Sequence, residues 1–191
     1  AAASEPGGVV TNGMSYYARD GENSNSALLV TLSPEDFPDK SVLGGMYWQR
    51  EIERRAFAAG GGNYFAPAQL CGDFLRDEPS RGPGKVKPSY TPGVRWCRID
   101  DALPEKICSV LRKALPELGK KLKGFDDGQA VLTAPETRSS SPVRILRSGE
   151  KVSVGIQGLY PCGEGAGYAG GISSAAVDGM RCAEAVLNTL K

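Results

Sequence analysis

The chain has 191 residues, 40% apolar and 24% charged, with a net charge of +1. Such a length buries a core without covalent staples, and the balanced charge excludes a general electrostatic pull toward nucleic acid or an anionic membrane. No apolar run approaches the ~18 residues of a membrane span, and the opening Ala1-Ala-Ala-Ser-Glu5 has no leader-like apolar segment.

Histidine is absent, which removes the Ser-His and Cys-His nucleophile pairs and the commonest metal ligand. Cysteines stand at 71, 97, 108, 162 and 182, with no C-x-x-C pair. That pattern argues against a disulfide framework and against any metal site, and it reads as a cytoplasmic protein with reduced thiols. Cys162 reads as a small buried residue, since no second cysteine and no histidine stands beside it.

Residues 9–32 read as extended. Asn12-Gly13 and Asp20-Gly21 are turn signals, and Ser26–Leu32 is an apolar strand, so an antiparallel ribbon or meander is expected. Asn12, Ser15, Arg19 and Asn25 are candidate pocket residues, although turn chemistry alone accounts for such residues. A helix is expected over 45–59, ended by Gly60-Gly-Gly62. Residues 77–98, rich in Pro, Gly, Lys and Arg, read as a long loop whose basic residues face solvent.

A second helix starts near Asp100-Asp101 with Pro104 in its first turn. It places Ile107, Val110, Leu111, Ala114 and Leu118 on one face, and Pro116 and Gly119 should end or kink it. Lys120, Lys121 and Lys123 read as a solvated basic end. Strands are expected at 130–133, 143–146, 151–156 and 158–160, with Arg144 on the opposite strand face from Val143 and Ile145. Between the first two lies a polar segment in which Arg138 and Ser139 are candidate pocket residues, with an ion pair to Glu136 as the plainer role for Arg138. A final helix over about 171–190 carries Ile172, Ala176, Met180, Ala183, Val186, Leu187 and Leu190 on an apolar face.

Gly165-Ala-Gly167-Tyr-Ala-Gly170 is a literal G-x-G-x-x-G between an expected strand and an expected helix. Glycines let backbone approach a diphosphate, and a helix N-terminus favours an anion. The front half of an NAD-binding unit needs a further strand with an acidic ribose ligand about 20 residues on. Only a helix's length of chain follows this loop, so that version does not apply. Glu164, directly after Gly163, is poorly placed beside phosphate but suited to accept a bond from a sugar or ribityl hydroxyl. Capping of the following helix is the plainer alternative.

The run from Gly158 to Gly179 resembles the C-terminal FAD motif of the uncharacterised FAD-dependent dehydrogenases. These are two-dinucleotide-binding-domain flavoproteins of the glutathione reductase-like superfamily. Val10–Ser15 with Arg19 and Asn25–Val30 is similar to a second segment of that family, and Glu136–Ile145 to a third. The resemblance implies FAD as cofactor, with Gly163 and Glu164 at the ribityl chain, and Gly165, Gly167, Gly170, Gly171 and Ile172 forming the loop and helix start that face the flavin. It implies an α+β / α/β fold, with an inserted substrate (cap) domain and the terminal strand–loop–helix of a Rossmann-like FAD domain. Residues 1–32 would link the two, 33–150 form the cap, and 151–191 the FAD element. The expected whole is a FAD-dependent oxidoreductase of unknown substrate. This chain would be its C-terminal portion, inactive alone, and the N-terminal FAD-binding half would be its main partner. Surface meant for that half should be exposed on the last helix, where a homo-oligomer is the other way to cover it. The alternative is a non-catalytic α+β module whose glycine loop binds phosphate or only turns the chain.

Overall fold

The computed structural model describes residues 4–190. The fold is mixed α+β, with four α-helices and a three-stranded sheet among the described residues. The chain forms two compact units. The first gathers Gln49–Thr137 with the N-terminal stretch up to Ser33, and the second gathers Pro34–Trp48 with the stretch from Arg138 onward.

The first unit is built around a small sheet. β1 (Ala66–Leu70) lies in the centre, parallel to β2 (Val94–Trp96) and antiparallel to β3 (Val131–Thr133). β1 runs directly into α2 (Cys71–Leu75), and α3 (Glu105–Lys121) covers the same core. Cys71, Phe74, Ile99, Cys108, Leu115 and Ala134 form one buried cluster, flanked by Leu28, Leu111 and Leu132. A second cluster gathers Val9, Ala56, Ala66 and Ala102. Small residues dominate it, with Ala56 from the end of α1 (Gly44–Ala59) and Ala66 from β1 in the same cluster. α1 ends in Gly60-Gly-Gly62, where positive φ at Gly61 (98°) and Gly62 (75°) lets the amides of Gly60, Gly61 and Gly62 close onto the last helical carbonyls.

Several expected elements take another form. Residues 9–32 form no strand and belong to no ladder, with a turn at 17–18 and bends at 22–23. Their amides bond elsewhere: Val9 N–H to the Glu53 carbonyl and Thr11 N–H to the Pro135 carbonyl, at 3.0 and 2.8 Å. The expected strands at 143–146, 151–156 and 158–160 reduce to one isolated bridge, Arg147 with Ser153. α3 continues through Pro116 and Gly119 to Lys121. Its buried positions are Cys108 and Leu115, with Leu111 half-buried between them, while Val110 lies exposed. The long loop over 77–98 holds β2 near its end.

The second unit contains α4 (Ile172–Thr189), the loop before it, and the irregular chain from Arg138. Near its start Phe37 and Trp48 pack ring on ring at 5.8 Å. No helix among the described residues is long and apolar enough to cross a membrane.

A candidate cofactor-binding loop

The glycine loop spans Pro161–Gly171 and leads into α4. Its backbone is tied to itself by two turns: Gly167 N–H donates to the Glu164 carbonyl at 2.9 Å, and Tyr168 N–H to the Gly163 carbonyl at 3.0 Å. Gly163 and Gly167 both have positive φ, 71° and 82°. Gly167 is doubly constrained, because a Cβ there would lie 2.5 Å from the Val143 carbonyl oxygen. The segment 141–145 runs beside the loop at that point. Ile145 N–H donates to the Ala166 carbonyl, Arg144 Nε donates to the Gly167 carbonyl at 2.9 Å, and Ser141 Oγ reaches the Gly165 carbonyl at 3.3 Å. Arg144 therefore serves the loop rather than the far face of a strand.

The loop's first residues are held by α4. Asp178 Oδ2 accepts the Gly163 N–H at 2.9 Å, and the same carboxylate receives both guanidinium nitrogens of Arg147, at 2.6 and 2.9 Å. Arg147 Nη1 also donates to the Pro161 carbonyl at 2.7 Å and to Cys182 Sγ at 3.2 Å. Its guanidinium lies 3.6 Å from the Tyr168 ring centroid, a cation–π contact. The Tyr168 hydroxyl accepts the Arg147 N–H and donates to the Ile145 carbonyl, both at 3.1 Å. Arg147 and Asp178 keep only 6% and 13% of their side-chain surface exposed. The Arg147 hydrogen bonds, followed by the Gly163 N–H, hold the Asp178 carboxyl down to about 2. Asp178 in turn raises the Arg147 pKa, and burial pushes the Cys182 thiol up.

Sequence patterning alone did not point to this pair. The available signal was a lone aspartate, Asp178, in the first half of the last helix, a position that calls for a partner where it is buried. The packed face of α4 is the one bearing Ala175, Asp178 and Cys182. The apolar row, expected to be left exposed on the last helix, lies largely bare: Ile172 is 94% exposed, and Met180, Leu187 and Leu190 are exposed as well. Cys162, expected to be buried, is exposed. Pro161 and Gly163 on either side of it turn their backbone groups toward the hub of Arg147, Asp178 and Cys182.

Glu164 is exposed between two carbonyls, of Gly163 and of its own peptide, that are both engaged in turns. It does not cap α4. That role falls to Ser174, whose Oγ accepts the Gly171 N–H at 3.1 Å and returns a bond to the Gly171 carbonyl at 2.9 Å. Gly165, Gly170, Gly171 and Ile172 are exposed at the loop tip and helix entrance. The space a Cβ would occupy at Gly165 is open. Ser139 and Ser140 border this region: a Cβ on Gly170 would lie 3.8 Å from the Ser139 carbonyl oxygen and 3.5 Å from Ser140 Oγ. Arg138, like Ser139, belongs to this second unit. Asn12, Ser15, Arg19 and Asn25 are exposed residues of the first unit. There Asn25 Nδ2 closes the 14–25 loop on the Met14 carbonyl at 3.0 Å, and Arg19 (φ 54°) ends a turn on Tyr16.

Residues 1–139 match the family described as FAD-dependent protein, C-terminal domain-like. The chain belongs to that family. It is also 52% identical over 187 residues to an uncharacterised protein of Clostridium beijerinckii. That alignment covers 98% of this chain and 35% of the relative, so the chain spans about a third of the relative's length. The family match ends at Ser139, just inside the polar segment of the second unit. The similarity to the Clostridium protein takes in nearly the whole chain, so the glycine loop lies within the stretch shared with that relative and outside the family domain.

Proposed function

We propose that this chain is the C-terminal portion of a FAD-dependent oxidoreductase, contributing a cap region and the ribityl-side contacts of the cofactor. Membership of a FAD-dependent C-terminal family supports the cofactor. The observation that carries the assignment to this loop is Glu164: an exposed carboxylate on a backbone held by the turns that start at Gly163 and Glu164, next to Gly163, where a Cβ would lie 3.8 Å from Ala175 in α4. A carboxylate so held accepts hydroxyl hydrogens without first losing backbone freedom. The first N–H groups of α4 have no intrahelical acceptors, and the helix dipole makes that end favourable for electron-rich groups.

The residues present fit the cofactor. Gly165 leaves room for close approach, Gly170, Gly171 and Ile172 are open, and Glu164 supplies the acceptor. When bound, the flavin supplies electron transfer, while the protein supplies orientation and electrostatics. The remainder of the cofactor is held by polypeptide of the kind that the longer relative carries in addition to this region. That remainder, the substrate-facing role of the first unit, and a place for Arg138 and Ser139 near the flavin are parts of the same proposal.

The test is an absorbance scan of the complete polypeptide for flavin bands near ~450 nm. Bound flavin, with Glu164→Gln weakening its retention, is the expected result. A complete protein that stays colourless after incubation with FAD would leave the non-catalytic module as the better reading.

A further inference from the structure

We infer that Arg147 and Asp178 are positioning residues that set the loop, and through it Glu164, in binding geometry before any cofactor arrives. The inference rests on the FAD reading above. Asp178 gathers three donors, two from Arg147 and one from the Gly163 N–H. Arg147 adds the Pro161 carbonyl, so the pair grips the chain two residues apart, on both sides of Cys162. The Tyr168 side chain, stacked on Arg147, grips the far end of the same loop. Gly163 is thus held through its N–H by Asp178 and through its carbonyl by Tyr168 N–H. Glu164 follows immediately, with its own carbonyl held by Gly167 N–H. Its backbone has nowhere to go, whereas its side chain is free to face a ligand.

The chemistry of the pair suits this work. A bidentate Arg–carboxylate bond is planar and directional, which fixes orientation as well as distance. A pair with little exposed surface is screened weakly, so its geometry persists across ordinary salt. Preorganisation of this kind increases affinity by removing the cost of ordering the loop on binding.

The experiment uses the complete polypeptide and measures FAD binding by quenching of flavin fluorescence. Asp178→Asn keeps the size of the side chain but loses one acceptor for the guanidinium. It should weaken FAD binding about 10-fold. Glu164→Gln should do about the same, and the double variant should bind no more weakly than either single one by more than about 2-fold, because Asp178 acts through Glu164. Arg147→Lys, which keeps the charge but loses the fork, gives a second route should Asp178→Asn fail to fold. Wild-type affinity in Asp178→Asn, or losses that multiply in the double variant, would overturn the inference. Amide hydrogen exchange supplies a readout that needs no flavin. Exchange at Gly163, Gly167 and Tyr168 should accelerate in Asp178→Asn while α3 stays protected, and unchanged loop exchange would refute the lock. A wild-type protein that takes up no FAD overturns the cofactor reading instead, and does so without altering the exchange result.

Discussion

The two units each contain an arginine that stacks on an aromatic ring and chelates an aspartate, yet the two arginines serve different ends. In the first unit Arg112 lies 4.5 Å from the Phe74 centroid and donates to both Asp100 oxygens at 2.7 Å. In the second, Arg147 lies over Tyr168 and pairs with Asp178. Arg112 sits at the rim of an apolar core made by Phe74, Leu115 and Ile99, with 22% of its side chain exposed. Arg147 is 6% exposed and is itself the centre, bonded to a backbone carbonyl, a carboxylate and a thiol. Apolar burial is non-directional and tolerates small shifts, whereas hydrogen bonds fix angles. The first unit is built for stability and the second for the exact path of a loop. Segments with few apolar contacts open locally at lower cost, which is the usual condition of binding loops.

Three changes sharpen that contrast. The largest effect belongs to Phe74→Ala, which empties the centre of the first core and should cost about 3–5 kcal/mol in a denaturant titration. The glycine-loop amides should keep their exchange rates in that variant under conditions where the first unit remains folded. Next comes Arg147→Ala, expected to cost about 2 kcal/mol. It strips Asp178 of its partner, but nearby solvent softens the penalty of a deeply buried charge. Its footprint should stay within the second unit. Arg112→Ala should cost less, because the apolar cluster beneath it survives. Equal costs for the two arginines would break the comparison.

The smallest effect is a pair of opposite pH dependences. The Asp178 carboxyl, held at about 2 against an ordinary 3.8, contributes stability that is fully present above the ordinary value and lost as pH falls through about 2. Burial raises the Cys71 thiol from 9.0 to about 11 and the Cys108 thiol to about 12, with nearby aspartates adding to both. Their contribution is complete below 9 and is lost as pH rises through those values. Residue-resolved exchange should therefore show the second unit loosening first in acid and the first unit loosening first in alkali.

The helices were legible where apolar spacing and terminators agreed: α1 with its triple glycine, α3 with Pro104, and α4 after the loop. β1 was not, for a physical reason. Ala66-Pro-Ala-Gln-Leu70 has small side chains and carries a proline, which has no N–H to donate and is rare in a central strand. The stretches at 9–32 and 143–160 had strand composition, but strand status depends on a ladder partner, and their amides found helix and loop carbonyls instead. The glycine loop and Glu164 were visible because glycines and a carboxylate leave a local signature. The Arg147–Asp178 pair was not, since its members are 31 residues apart and only the fold brings them together. The bare apolar row of α4 was legible too, whereas the charged side by which α4 holds its own loop was not.

The bare row of α4 has a consequence for how the molecule behaves in solution. Ile172, Met180, Leu187 and Leu190 form a greasy row along one helix, facing water. Salts such as sulfate strengthen apolar association because they are excluded from protein surfaces. They act on this row wherever two bare faces meet, so added sulfate is expected to promote association through the uncovered side of α4.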